Sequence, residues 1–118
     1  MSIPLPGQDP KRTQFVDSTL NANKHIEWVK DLYNMYAPSI QVPGQQYRST
    51  HLMGDNGQGY VFPHITHVNG QLNYIEDEDE AENYARKTNT GIQFKTPQDG
   101  SWFAANGYKN GTNVLKNR

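Results

Sequence analysis

The amino-acid sequence predicts an α+β fold: a small antiparallel β-meander with about three helices packed mainly on one face, and an extended N-terminal arm. Three observations predict it. Apolar residues recur at helical spacing after Asn21, short strand-like runs alternate with glycine-rich turns, and prolines concentrate near the N-terminus. Because 118 residues suit one domain, we expect an arm over residues 1–21 and a single domain over residues 22–118.

The N-terminal arm is predicted from its composition. It contains three prolines and few apolar groups, which disfavours a helix and leaves little surface to bury. An extended proline-rich segment has little further entropy to lose when it lies along a neighbouring chain. We therefore expect its apolar residues to contact a partner, and deletion of residues 1–19 to spare the fold. The partner-contacting residues would be Ile3, Pro4, Leu5, Pro6 and Phe15.

The first helix is predicted directly after this arm. It would be capped by Asn21 or Asn23 and closed by Ala37-Pro38. Its apolar face would contain Ile26, Val29, Leu32, Tyr33 and Tyr36. Residues 39–42 then indicate a short strand that ends at the turn signal Pro43-Gly44.

Three further strands are predicted over residues 47–53, 60–68 and 71–75. A glycine-rich loop joins the first two, and Asn69-Gly70 predicts a two-residue type I′ turn between the last two. In the simplest register, one face would hold Tyr47, Ser49, His51, Met53, Tyr60, Phe62, His64 and Thr66. The opposite, more apolar face would hold Leu52, Val61, Ile65, Leu72 and Tyr74.

The sequence of the C-terminal half predicts two more helices with a strand between them. Acidic residues at 76–82 suit the positive end of a helix that ends at Asn89 or Gly91. Residues 92–94 indicate a short strand. Thr96-Pro97 predicts the start of a helix that carries Trp102 and Phe103. Trp102 and Phe103, together with Tyr108, are either core anchors or a stacking platform for bases or sugars.

The amino-acid composition excludes several kinds of site and gives no support to several kinds of partner. The chain has no cysteine, which excludes disulfides, thiolate metal sites and a cysteine nucleophile. A net charge of −1 gives no support for binding to nucleic acid or anionic lipid. The apolar runs are far shorter than the roughly 20 residues of a membrane span, and no signal-peptide pattern is present. We expect a cytosolic product or a component of an assembled particle, with no membrane partner.

No complete catalytic or metal-binding pattern is present. His64 and His67 are three residues apart on a strand and would point to opposite faces. His51 and His64 are better placed, but no carboxylate is positioned to complete a metal site. Ser49 opposite His64 would be the beginning of a nucleophile and base pair, without a GxSxG motif or an orienting carboxylate. We therefore assign no catalytic residue, metal ligand or cofactor, and expect a non-enzymatic role while leaving an enzyme open.

The mixed face of the predicted sheet is the candidate binding surface. Its hydroxyls, imidazoles, aromatic rings and one arginine are the groups that protein interfaces favour. The candidate residues are Tyr47, Arg48, Ser49, His51, Tyr60, Phe62 and His64.

Several strings resemble a small module found in virion-associated and polyvalent proteins of tailed bacteriophages, some of which also carry peptidoglycan-cleaving domains. The strings are PSIQVPGQ, YRSTHLMG, GYVFPHI, NGQL, NYARKTNTGIQF and WFAANGYKNGTNVLK, within residues 38–116. The signature stretch corresponds to residues 48–51 with Phe62 and Pro63. His64 and residues 88–90 depart from the pattern. The resemblance implies a phage setting and no particular reaction.

Two functional hypotheses follow from the residues and this resemblance. The first is a non-enzymatic virion protein, made in the host cytoplasm, that binds capsid, neck or tail chains through the arm and the candidate surface. A homo-oligomer within the particle is compatible with it. The second is an enzyme or accessory module acting on the host envelope, with Ser49, His51 and His64 around a cleft.

Overall fold

The structure is a computed structural model that describes residues 10–115. This part of the chain forms four α-helices: α1 (Pro10–Ala22), α2 (Glu27–Asp31), α3 (Glu78–Thr88) and α4 (Pro97–Ala104), followed by a 3₁₀ turn at Gly107–Asn110. Its strands are β1 (Ile40–Gln41), β2 (Arg48–Ser49), β3 (Met53–Asp55), β4 (Tyr60–Pro63), β5 (Ile65–Val68), β6 (Gln71–Tyr74) and β7 (Ile92–Gln93). The predicted α+β class is confirmed.

The strands form three small antiparallel sheets. β1 pairs with β2, β4 lies between β3 and β7, and β5 pairs with β6. His64 separates β4 from β5 in what was predicted as one strand. Its backbone N–H donates to the Leu52 carbonyl at 2.7 Å, and its carbonyl accepts from the Ile75 N–H at 2.8 Å. The chain therefore passes from one sheet to the next at this residue without leaving its backbone groups unpaired.

The N-terminal region corrects the predicted arm. Over the described part of that arm, residues 10–21, the chain belongs to α1, and Val16 and Leu20 of this helix are completely buried in the core. Proline is compatible with the first turn of a helix, so its presence at residue 10 did not exclude this helix. Deleting residues 1–19 would remove part of the core, contrary to the expectation that it spares the fold. Ile3, Pro4, Leu5 and Pro6 lie outside the described residues.

The helix predicted over residues 21–37 is also corrected, because residues 21–22 belong to the end of α1 and the separate helix α2 covers only Glu27–Asp31. After α2 the chain continues in turns, in which the Ala37 N–H donates to the Asn34 carbonyl at 3.0 Å. The Asn34 side chain accepts from the Tyr36 N–H at 3.0 Å. Asparagine side chains compete with helical hydrogen bonds in this way. The apolar spacing around residue 36 therefore did not correspond to a buried helical face.

The structure confirms the predicted Asn69-Gly70 turn, the end of α3 at Asn89 and the start of α4 at Thr96-Pro97, and it adds Asp77 as the cap of α3. Asn69 and Gly70 have positive φ values of 53° and 79°, and Val68 pairs with Gln71 across the turn. The Asp77 side chain caps α3 by accepting from the Glu80 N–H at 2.8 Å, and Asn89 ends this helix in the left-handed conformation. Thr96 caps α4 in the same manner, accepting from the Asp99 N–H at 3.1 Å.

Two hydrophobic clusters stabilise these elements. The larger cluster joins α1, α2, α4, β3, β4 and β7, and Phe103 and Tyr108 lie within it. Trp102 is half-buried against the same cluster, so both C-terminal aromatic residues pack on the core. The smaller cluster joins β4 to α3 and contains Tyr60, Phe62, Ile75, Ala81 and Ala85. Within residues 10–115, no helix combines the length and apolar character required to cross a membrane.

Candidate binding surface

The register of the β3–β4 hairpin differs by one position from the predicted register. Gly54 pairs with Phe62, and Met53 pairs with Pro63. The loop fixes this register, because the Asn56 N–H donates to the Tyr60 carbonyl at 3.1 Å and the Asn56 side chain accepts from the Gln58 N–H at 2.8 Å. Met53 consequently belongs to the larger cluster, whereas Phe62 belongs to the smaller one. A one-residue slip exchanges the faces of a strand.

Tyr60, Phe62 and His64 lie on one face of β4 and its extension, as the sequence predicts. The Tyr60 and Phe62 ring centroids are 6.3 Å apart, and those of Phe62 and His64 are 5.6 Å apart. Tyr74 of β6 adds a ring 6.4 Å from that of His64, although it was predicted on the opposite face. We call these four residues the aromatic row. Three of its members are buried, with exposures of 7% for Tyr60, 1% for Phe62 and 7% for His64.

His64 is held in place by its backbone surroundings. Its Nδ1 atom lies 2.7 Å from the Ile75 carbonyl oxygen. A methyl group on Gly54 would lie 2.7 Å from the His64 Nε2 atom, so only glycine leaves room for the ring at this pairing position. The imidazole is therefore a packed structural group and is not presented on a surface.

His51 is buried on the other side of the hairpin. Its Nδ1 atom is 3.2 Å from the Tyr108 hydroxyl, and the two rings meet edge to face with centroids 5.3 Å apart. Burial raises the pKa of Tyr108 to about 12, so the phenol remains protonated at physiological pH. The pair ties the β2–β3 connection to the C-terminal 3₁₀ turn.

The hypothetical serine and histidine pair does not form. The Ser49 hydroxyl donates to the Gln45 side-chain oxygen at 3.0 Å, whereas His64 contacts Ile75 and His51 contacts Tyr108. The third imidazole that sequence analysis considered, His67, has its Nε2 atom 2.6 Å from the Asp31 carboxylate. Within residues 10–115, no group of three or more histidine, aspartate or glutamate side chains is placed to hold a metal ion.

Tyr47 and Arg48 are the candidate residues that remain exposed. The Tyr47 side chain is 76% exposed beside the β1–β2 pair. The Arg48 Nε atom donates to the Ser39 hydroxyl at 3.0 Å, and Nη2 donates to the Ser39 carbonyl. Arg48 therefore holds the start of β1 against β2, while the arginine itself remains exposed to solvent.

Met35 and Tyr36 complete this exposed region, and sequence analysis missed them. They are 67% and 86% exposed in the turn that follows α2, and residues 37–39 separate them from β1. Tyr36 had been placed on a buried helical face. The signal that could have identified them is Asn34, a residue that favours helix ends over helix interiors. We call Met35, Tyr36, Tyr47 and Arg48 the ribbon surface.

The candidate residues thus separate into two environments. Tyr47 and Arg48 lie on the ribbon surface, Ser49 is half-buried at its edge, and the remaining four are buried. Those four are His51, Tyr60, Phe62 and His64. Phe15, the described member of the predicted arm contacts, lies in α1 with its ring 5.9 Å from that of Phe94 and 6.4 Å from that of Trp102.

In comparisons with known proteins, no family model, no curated protein and no solved structure matches the chain. What the protein does must therefore be inferred from its own residues.

Proposed function

We propose that this protein is a non-enzymatic component of a tailed-bacteriophage virion, and that it binds neighbouring capsid, neck or tail chains through the ribbon surface. One observation carries the binding role. Within residues 10–115, the exposed large hydrophobic side chains are Met35, Tyr36, Tyr47 and Val68; the first two precede β1 in the chain, and Tyr47 directly precedes β2. The virion setting is supported by the sequence resemblance.

The composition of the ribbon surface suits a protein partner. Tyrosine, methionine and arginine are enriched in interfaces, and tyrosine and arginine dominate binding hot spots. Tyrosine offers a large contact area with few rotatable bonds, so ordering it upon binding costs little entropy. Scattered single apolar residues on a surface require no explanation, but Met35 and Tyr36 are two consecutive exposed residues before β1, and Tyr47 is a third that directly precedes β2.

Hydrogen bonds already order the backbone around the β1–β2 pair in the isolated chain. The Gln41 amide donates to the Gln45 carbonyl at 2.6 Å, and the Gln45 N–H donates to the Val42 carbonyl at 3.0 Å. The two hydrogen bonds from Arg48 to Ser39 close the other end of the pair. A surface that is already ordered loses less conformational entropy on association. The ribbon surface therefore combines exposed side chains that can contact a partner with a backbone that is already ordered.

Two features of the hairpin favour binding over catalysis. Ser49 and His64 form hydrogen bonds with separate partners, and the His64 ring is buried so closely against Gly54 that a methyl group there would lie 2.7 Å from its Nε2 atom. A base that acts on a nucleophile must lie within hydrogen-bond reach of it. The envelope-directed enzyme therefore gains no specific support from these residues.

Photo-crosslinking in purified phage particles tests this proposal. A photoreactive phenylalanine analogue replaces Tyr47 in one variant and the exposed strand residue Gln71 in a control, and mass spectrometry identifies the crosslinked chains. We expect the chain to be present in particles and position 47 to crosslink to one virion protein, with a yield at least about tenfold above position 71. Absence of the chain from particles, or equal crosslinking at both positions, would overturn the proposal.

A further inference from the structure

A polar cleft lies outside the ribbon surface and shares no residue with it. The cleft has a volume of about 710 Å³ and is formed by α1, the α1–α2 connection, α2 and the segment after the 3₁₀ turn. Its lining residues all carry hydrogen-bonding or charged side chains, including Ser18, Asn21 and Asn113. This volume falls within the range of roughly 300–1,000 Å³ that is usual for small-molecule sites.

One wall of the cleft is fixed by a contact between the two ends of the described chain. The Asp17 carboxylate accepts from the Thr112 N–H at 2.8 Å and from the Thr112 hydroxyl at 2.6 Å. The Leu115 N–H donates to the Leu32 carbonyl at 2.9 Å and holds the same segment against the residue that follows α2. Both Asp17 oxygens are thus occupied within the protein, and the cleft keeps its shape without a ligand.

Two lysines, Lys24 and Lys30, and one carboxylate, Asp17, line the cleft, so its net charge is positive. Lys24 forms no ion pair among residues 10–115. Lys30 lies 3.7 Å from the exposed Glu27 carboxylate, and pairs this exposed are weak. Tyr33 supplies an aromatic ring and a hydroxyl. Burial and the nearby Asp17 carboxylate raise the pKa of Tyr33, which keeps this hydroxyl protonated and able to donate.

We propose that this cleft binds a saccharide that carries one anionic group. The amides of Asn21 and Asn113 and the hydroxyl of Ser18 match the many donors and acceptors of a sugar ring, because each can both donate and accept. The Lys24 ammonium supplies the unpaired cation for the anionic group. A purely apolar ligand would leave the polar lining without partners, which costs free energy for each desolvated group. This inference is independent of the partner that binds the ribbon surface.

Three probes separate the parts of this ligand: glucuronic acid carries ring and carboxylate, glucose the ring alone, and acetate the carboxylate alone. Each is titrated into isotope-labelled protein at constant ionic strength, with amide chemical shifts as the readout. We expect saturable shifts at residues 17–24 and 111–113 with glucuronic acid, which should bind at least about fivefold tighter than either fragment. Lys24→Gln should reduce this binding to the level of glucose.

Lys87→Gln is the matched control, because Lys87 is an exposed lysine near the end of α3 and does not line the cleft. It should leave the titration unchanged. Three results would overturn the proposal: no saturable shift with glucuronic acid, equal binding of acetate and glucuronic acid, or shifts concentrated outside the cleft. Equal losses in the two lysine variants would also contradict it, since they would indicate a general effect of charge.

Discussion

The ribbon surface and the aromatic row both contain aromatic side chains, but these side chains are exposed in the first and mostly buried in the second. Tyr47 is 76% exposed, whereas Phe62 is 1% exposed and stacks within the smaller cluster. The difference is set by what lies opposite each strand. β4 is paired on both sides and covered by α3, whereas β2 pairs only with β1 among the described strands. Aromatic residues therefore stabilise the fold in one region and remain available to a partner in the other.

The largest expected effect is at Phe62, the most buried member of the aromatic row. Phe62→Ala should lower the free energy of unfolding by about 3–5 kcal/mol, because it removes a buried ring and leaves a cavity. Chemical denaturation measures this change. Tyr47→Ala is the control and should change stability by no more than about 0.5 kcal/mol. Similar losses in both variants would contradict the division between the two regions.

The second effect concerns the buried phenol of Tyr108. Its pKa is about 12 in the folded protein, against 10.0 for an exposed tyrosine, so the folded state holds this proton more tightly. The protonated phenol therefore stabilises the folded state fully below about pH 10. This stabilisation, up to about 3 kcal/mol in the free energy of unfolding, is lost as the pH rises toward 12. The comparison of wild type with Tyr108→Phe isolates this contribution from the other tyrosines. Denaturation curves with the same pH dependence for both proteins would refute the assignment.

The third effect tests how closely the aromatic row is packed. Gly54→Ala places a methyl group 2.7 Å from the His64 Nε2 atom and 3.0 Å from a Phe62 ring carbon. The His64 ring cannot shift easily because its Nδ1 atom is held at 2.7 Å from the Ile75 carbonyl. We expect a loss of about 1–3 kcal/mol in the free energy of unfolding. A stability equal to that of wild type would mean that the row has room to move.

The fourth effect isolates backbone strain from crowding. A side chain at Gly70 would meet nothing within 4 Å, but its φ of +79° is unfavourable for any residue with a Cβ atom. Gly70→Val should therefore cost more than about 1 kcal/mol, since a β-branched residue resists positive φ. Gln71→Val, on the adjacent exposed strand position, serves as control and should cost less. An unchanged melting temperature for Gly70→Val would argue against the two-residue turn.

The parts of the fold that could be predicted are those that depend on a few consecutive residues. Asn69-Gly70 specifies its own turn, and Asp77 and Thr96 cap helices that begin at the next residue. The register of β3 and β4 could not be predicted, because the hydrogen bonds of the Asn56 loop set it. A slip of one position was enough to exchange the faces of the hairpin.

The site was harder to predict than the fold because its environment depends on distant contacts. His51 is covered by Tyr108, which is 57 residues away, and nothing near His51 indicates this burial. The polar cleft requires Asp17 and Thr112, which are 95 residues apart. Prolines near the N-terminus favoured an arm where α1 forms. Tyr47 and Arg48, which the sequence predicts as binding residues, are exposed after the turn that contains Gly44.

The smallest expected effect on stability is in the ribbon surface itself. The double variant Tyr36→Ser/Tyr47→Ser removes two exposed rings and no buried contact, so its melting temperature should remain within about 2 °C of wild type. A larger loss, measured by thermal unfolding, would mean that these rings already stabilise the isolated chain. A melting temperature equal to that of wild type would show that these two exposed rings do not contribute to the stability of the folded chain.

Incorporation of that double variant into phage particles tests the central claim most directly. Particles assembled with the variant as the sole source of the chain are purified, and its copy number is measured by quantitative mass spectrometry. Val68→Ser, which replaces the exposed hydrophobic residue outside the ribbon surface, is the control. We expect at least about tenfold fewer copies of the double variant, equivalent to about 1.4 kcal/mol of binding free energy, and normal incorporation of the control. Wild-type copy numbers for a folded double variant would contradict the account.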